Sequence, residues 1–381
     1  MIYLDYNATT PVHFDVLAAM QDCFETQFGN PSSFYRIGRE AKQKLHEARV
    51  KIASAIGADP LEIYFTSGGT ESDNLALRGM AKALQGRGRH LITTAVEHHA
   101  VLNTCRDLEK EGFAVTYLPV DSNGRVDPET LAGEITSETI LISVMYANNE
   151  TGVIQPLADI GRIARERDIA FHTDAVQAAG KIPIDVSAIR ADLLSVTGHK
   201  LYGPKGAGAL YVRKGIAPRA ILTGGRHEQD LRAGTENVPG IVGLGEAFAR
   251  FAANPGPEAQ RLGQLRDRLE EGLTQNIPNV CINGCRAPRI SNTANVVFPS
   301  VDGESILLHL DLKGIYASSG SACATGSPEP SHVLKAMGLA PRAAQGSIRF
   351  SLGNATTAEE IDQTIETVAE TVDRLRRISS I

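Results

Sequence analysis

The chain has 381 residues, 42% of them apolar and 22% charged, and a formal net charge of -6. That length allows a sizeable core and two domains, and the scattered basic residues on an acidic chain argue against nucleic acid as a partner. No apolar run approaches a membrane span, and Asp5 interrupts the start MIYLDYNATTP where a secretory segment needs an apolar stretch, so a cytoplasmic protein with no membrane contact is expected.

From about residue 60 to 215, seven β-branched runs alternate with amphipathic stretches: LEIYF, HLITTAV, AVTYLPV, TILISVMYA, IAFHTDAV, DLLSVTGH and AGALYVR. This alternation predicts an α/β fold with a mostly parallel sheet. Between the fourth and fifth runs, Leu157, Ile160, Ile163 and Ala164 fall at helical spacing behind Pro156, which predicts a crossover helix. The NPGP stretch at residues 254–257 marks a boundary, after which Leu262, Leu265, Leu269, Leu273 and Ile277 line one helix face. NVCIN, TANVVFP and SIRFSLG predict further strands, and Thr357 with Glu360 forms a capping-box pattern ahead of a final helix. These later elements read as a smaller α+β domain.

The five cysteines, Cys23, Cys105, Cys281, Cys285 and Cys323, are odd in number and irregularly spaced, as free thiols in a reducing compartment would be. Cys281 and Cys285 are close, but no second Cys or His pair follows at zinc-binding spacing, so no resident metal is expected.

Several segments carry residues suited to chemistry. FTSGGTES (65–72) follows a strand and opens a helix, so Gly68, Gly69 and Thr70 offer close backbone approach, a hydroxyl and unpaired N–H groups for an anion. An ordinary strand-to-helix turn has the same composition, and GPKGAG (203–208) is equally ambiguous. Asp174 in FHTDAVQ stands at the carboxyl end of an apolar strand, where it either caps a helix or holds a pyridinium nitrogen protonated, with Gln177 able to reach the phenolic oxygen of such a ring. Lys200 in SVTGHKLYGPKG follows an apolar strand among small neighbours, a setting that lowers an amine's pKa and favours a Schiff base. Cys323 lies in SSGSACATG, where little bulk surrounds the thiol and modest activation would make it a nucleophile. His98 and His99 in VEHHAVL supply rings for stacking and proton transfer, or serve as core or cap residues.

Taken in order and spacing, SGGTES, EHHAV, NNETG, HTDAVQ, SVTGHK, RAGTEN, SSGSACATG and IRFSLG resemble the NifS/IscS family of cysteine desulfurases, from YLDYNATTP to the last helix. The resemblance implies a fold-type I pyridoxal-phosphate-dependent transferase: a large domain (13–254) on a mostly parallel seven-stranded sheet and a small α+β domain (1–12 and 255–381) carrying the cysteine loop. It implies that Lys200 forms the Schiff base, that Asp174 and Gln177 meet the pyridine nitrogen and phenolic oxygen, and that His98 stacks on the ring and moves protons. Gly69, Thr70, Thr197 and His199 would contact the cofactor with Asn149, and Thr235 would reach the phosphate of the opposite subunit in a homodimer. Asn149 and Arg349 would bind the substrate, Arg349 by gripping its carboxylate with two parallel hydrogen bonds. L-cysteine would become L-alanine, the sulfur passing as a persulfide on Cys323 to an iron–sulfur scaffold or other acceptor; Cys323 could also transiently ligate a cluster on such a partner. The alternatives are a selenocysteine lyase or another pyridoxal-phosphate reaction, with Cys323 arguing against a transaminase, and a non-catalytic scaffold, against which Lys200, Asp174 and Cys323 are all present.

Overall fold

The computed structural model describes residues 1–26, 28–319 and 330–379. After a short first strand, β1 (Ile2–Tyr3), the seven β-branched runs become β2 (Ile63–Thr66), β3 (His90–Thr94), β4 (Ala114–Leu118), β5 (Thr139–Ser143), β6 (Ala170–Asp174), β7 (Leu193–Thr197) and β8 (Gly208–Val212). They form one seven-stranded sheet in the order β2-β8-β7-β6-β5-β3-β4. Five strands from β4 to β7 pair in parallel, and β8 runs antiparallel to both β2 and β7.

Both faces of the sheet are covered, which is why β3 and β5–β8 are buried along their whole length and read as continuous apolar runs rather than alternating ones. Side chains still alternate in direction. Leu91, Leu193 and Leu210 pack with Leu75, Leu77, Val101 and Leu108 of the helices Gly69–Leu84 and His99–Lys110. Their neighbours Ile92, Leu194 and Ala209 pack on the other face, with Ile52, Ile160 and Leu244 of Arg36–Ile56, Leu157–Glu166 and Val238–Ala247. Each such Leu or Ile contributes about 1.5–3 kcal/mol of transfer free energy. In Leu157–Glu166 the residues at helical spacing are buried as expected, while Pro156 stands at the cap rather than inside the first turn.

A separate apolar cluster gathers the rest of the chain around β9 (Cys281–Ile282), β10 (Thr293–Val297), β11 (Ile315–Tyr316) and β12 (Ser347–Ser351). The antiparallel order is β12-β10-β9, and β1 pairs in parallel with β11. Helix Gly256–Asn276 contributes Leu262, Leu269 and Leu273, and Ala358–Ser379 contributes Ile361, Val368 and Val372. The Thr357 and Glu360 side chains exchange bonds with each other's backbone N–H at 3.3 and 3.2 Å, so the capping box forms. No helix among the described residues is long and apolar enough to cross a membrane.

One connection matters for the site. The N-terminal arm bonds to β12 through Tyr6 N to Ser351 O and Ser351 N to Leu4 O, then crosses to the Lys200 segment, where Thr10 N bonds His199 O. Asp5 and Asn7 are carried between the two clusters by that path.

Candidate active site

The carboxyl ends of the parallel strands, where open α/β sheets bind ligands, surround a cavity of about 330 Å³. Eleven of the residues singled out in the sequence line it: Gly69, Thr70, His98, His99, Asn149, Asp174, Gln177, Thr197, His199, Lys200 and Arg349. Thr235 is exposed and does not line it, and Cys323 lies outside the described residues. Of the two glycine-rich candidates, only SGGTES contributes; GPKGAG forms the turn from Lys200 into β8.

β2 runs directly into helix Gly69–Leu84, whose cap residue is Gly68 with no side chain bonded to the first turn. The helix start therefore presents N–H groups and its positive dipole end beside the hydroxyls of Thr70 and Thr197 and the His199 ring. Gly208 is required here, since a Cβ on it would stand 2.6 Å from Gly68 Cα. The arrangement is a cup for an anion.

Asp174, at the end of β6, is 6% exposed and accepts a bond from Val176 N at 2.9 Å. Burial raises its pKa to about 6, against the opposing pull of Lys200. Beside it Asp73, from helix Gly69–Leu84, is fully enclosed, with Oδ1 3.6 Å from His172 Nε2, and is pushed well up by burial and then by Asp174. His172 is itself driven down to about 3 by burial, so no cation offsets the pair from that side.

Lys200 follows β7 on a tight turn in which Leu201 N and Gly203 N both bond to Gly198 O, and Tyr202 takes φ of +58°. Thr10 Oγ1 accepts from Tyr202 N at 2.7 Å, and Tyr202 Oη accepts from Asn354 N at 2.9 Å, so bonds from both ends of the chain hold this strained turn. Lys200 Nζ donates to the carbonyls of Asn7 and Ala8, each at 2.6 Å.

His98 caps helix His99–Lys110 by accepting Ala100 N at Nδ1, 3.1 Å away. A neutral ring so bonded carries its proton on Nε2. Burial first, then Lys200, His99 and His332, holds His98 near pKa 4, hence neutral at pH 7. Just before it, Glu97 is completely buried: Oε1 accepts from Thr94 Oγ1 at 2.8 Å and Met145 N at 2.9 Å, and Oε2 has no hydrogen-bond partner among the described residues. Burial pushes Glu97 up from 4.5 to about 8. Its raised folded-state pKa means the native protein holds a proton that the unfolded chain releases above 4.5, so this contribution is full below 4.5 and is lost as pH rises through 8. Relative to Glu97→Gln, the wild-type protein should lose stability across that window with a slope approaching about 1.4 kcal/mol per pH unit, measured by denaturant unfolding of both proteins. A difference that stays flat with pH refutes a neutral Glu97.

Arg349, on β12, is 1% exposed. Nη2 bonds Asp5 Oδ1 at 2.7 Å and Nη1 bonds Asn149 O at 3.0 Å, while Nε has no partner among the described residues. Asn149 and Glu150 reach the cavity on a turn built by Asn148, whose Oδ1 accepts from the N–H groups of Glu150 and Thr151. Asp5, Asn7, Asp73, Glu150 and His332 escaped the sequence reading. Asn7 joins the most groups: its N–H bonds Ser351 Oγ, its Nδ2 bonds Thr293 Oγ1 and Asn149 O, and its carbonyl accepts from Lys200 and Gln177. The one signal was a pair of polar residues in an arm otherwise rich in apolar and small side chains.

Residues 2–364 match the family model described as Aminotransferase class-V. The chain is 53% identical over 380 residues to "Cysteine desulfurase IscS" of Methanosarcina thermophila, covering all of this chain and 94% of that one. It is 51% identical over 378 residues to the protein of the same name in Dictyoglomus turgidum, at 99% and 96% coverage. A solved NifS-like protein superposes with a TM-score of 0.92 at 40% identity, covering 98% of this chain and all of that one. A structure of SspA in complex with cysteine gives a TM-score of 0.83 at 39% identity, with 92% and 99% covered. The chain belongs to the class-V aminotransferase family and, within it, to the cysteine desulfurases of the IscS and NifS kind.

Proposed function

We propose that this protein is a pyridoxal-phosphate-dependent cysteine desulfurase that converts L-cysteine to L-alanine and passes the sulfur, as a persulfide on Cys323, to an acceptor in iron–sulfur cluster assembly. The observation that carries the reading is the convergence of an amine (Lys200), a buried carboxyl (Asp174), an imidazole (His98) and a guanidinium (Arg349) on one cavity beside an uncapped helix start.

The residues fit the cofactor. Thr70, Thr197, His199 and the helix start suit a phosphate dianion. Asp174, buried with its pKa raised, would be the partner of a protonated ring nitrogen. Gln177 lines the cavity, and its Nε2, which gives one hydrogen to the Asn7 carbonyl, has a second to offer the phenolic oxygen. When bound, pyridoxal phosphate supplies an electron sink for the substrate's Cα.

The chain's own groups then have distinct tasks. Lys200 would hold the cofactor's aldehyde through its side-chain amine. Arg349 holds the substrate carboxylate and so sets which Cα bond faces the ring. His98, neutral and carrying its proton on Nε2, offers a hydrogen-bond donor to the cavity. Cys323 thiolate forms a bond to the substrate sulfur as the Cβ–S bond breaks, the carbon keeps the electron pair, and protonation releases alanine.

The same reading divides the chain into a large domain (13–254) and a small one (1–12 and 255–381). It also includes a homodimer: Phe14, Leu17, Phe24, Phe28, Phe34 and Tyr35 are large, exposed and concentrated in one stretch, and exposed Thr235 is available to a second copy's phosphate site.

The test is a visible spectrum of purified protein before and after L-cysteine with a reductant, alanine and sulfide being assayed together. Equal amounts of both are expected. A colourless protein free of pyridoxal, or a cofactor band with no alanine formed, sinks the proposal.

A further inference from the structure

Gln177 and Lys181 lie four residues apart on the turn that follows β6, and their side chains meet. Lys181 Nζ donates to Gln177 Oε1 at 2.5 Å and to Asn7 Oδ1 at 3.2 Å. Gln177 Nε2 donates to the backbone carbonyl of Asn7 at 3.0 Å. A carbonyl oxygen only accepts, so the amide nitrogen must face Asn7, and the amide oxygen must then face Lys181. The two ends of one amide are thus fixed by two different partners.

Gln177 and Asn7 line the cavity described above, whereas Lys181 lines a second cavity of about 210 Å³ behind Lys200. Lys181 does not line the first cavity, yet it bonds two residues that do.

We propose that Lys181 is a positioning residue: by occupying the oxygen of the Gln177 amide from behind, it turns the amide nitrogen to the ligand cavity, so that Gln177 meets the ligand only as a hydrogen-bond donor. This rests on the reading of that cavity as the pyridoxal-phosphate site, where a donor stabilises an anionic phenolic oxygen and an acceptor would repel it. The Asn7 carbonyl selects the nitrogen end of the amide, and Lys181, by donating to the oxygen end, adds a second partner that disfavours the flipped amide. Asn7 participates through its carbonyl and side chain, but Lys181 is the partner that a side-chain substitution can remove alone.

Lys181→Met keeps the length and removes the donor. In cofactor-free protein labelled with ¹⁵N-glutamine, the Gln177 side-chain amide resonances, identified by their loss in Gln177→Glu, should shift in Lys181→Met. In loaded protein the same change should lower affinity for pyridoxal phosphate about tenfold, the loss of one hydrogen bond to a charged group, and move the pH at which the visible band titrates upward. Lys181→Arg should restore both. Unchanged amide resonances together with unchanged affinity and band titration in Lys181→Met overturn the proposal. If Lys181→Met fails to fold, Lys181→Ala, which opens onto the second cavity, is read by the same criteria. A wild-type protein that takes up no pyridoxal phosphate defeats the cofactor reading, while the resonances of the cofactor-free protein still decide the role of Lys181.

Discussion

Replacing Lys200 by alanine should abolish alanine formation, a loss of at least about 10⁴-fold in kcat, and purified Lys200→Ala should lack the visible absorbance of lysine-bound pyridoxal. Cys323→Ala should keep that absorbance and lose sulfide release. The two variants test separately the cofactor-binding role proposed for Lys200 and the sulfur-receiving role proposed for Cys323. The lysine variant should remain folded: Lys200 Nζ serves the carbonyls of Asn7 and Ala8, and the Asn7 carbonyl keeps the bond from Gln177 Nε2. Loss of these two bonds to neutral acceptors costs on the order of 1–3 kcal/mol. Circular dichroism and thermal unfolding check that point, and the absorbance and alanine assays check the chemistry. A Lys200→Ala protein that keeps the band and turns over cysteine would show that the amine does not carry the reaction.

The sheet was legible because its physics is local. Runs such as TILISVMYA and DLLSVTGH are buried on both faces, so each is apolar over several residues, and each is bounded by turn residues that mark where it ends. The strand order was not legible, because β8 enters between β2 and β7 through pairings of residues far apart in sequence, such as Phe65 with Ala209. The antiparallel direction of β8 follows from the short GPKGAG turn, which leaves no room for a crossover helix.

The cavity was legible to the extent that its residues sit at the ends of readable strands: Asp174 closes β6, Lys200 follows β7, and Gly69 follows β2. Only their polarity in the N-terminal arm marked Asn7 and Asp5, and nothing local gave them a role. Their importance comes from the path of the arm along β12 and over to His199, and a path of that kind depends on tertiary contacts rather than on periodicity. Asp73 and Glu150 were hidden for another reason. Each lies in a helix or turn where an acidic residue is ordinary, and only its enclosure distinguishes it. Lys181 likewise reads in the sequence as a surface charge, and its contact with Gln177 appears only once the turn after β6 is folded.

Arg349 should tolerate neither loss of its charge nor loss of its shape. Arg349→Ala removes the counter-ion of Asp5 and the donor to Asn149 O. Breaking one side of a buried ion pair costs about 3–5 kcal/mol, so this variant should unfold at a clearly lower denaturant concentration than wild type. Asp5 retains 18% side-chain exposure, which lets solvent recover part of that cost and sets the expectation at the lower end. Arg349→Lys separates fold from function. A lysine keeps one positive charge for Asp5, so stability should fall less, but it cannot offer a planar fork to a substrate carboxylate. Two charge-assisted bonds reduced to one correspond to about 1.5–3 kcal/mol, a rise in KM for L-cysteine of about 10- to 100-fold. If the carboxylate grip also orients the Cα bond, kcat falls with it, whereas a rise in KM alone assigns Arg349 to binding without orientation. Steady-state alanine formation across cysteine concentrations distinguishes the two, and unaltered kcat and KM in Arg349→Lys would remove Arg349 from the substrate site and leave it as the structural partner of Asp5.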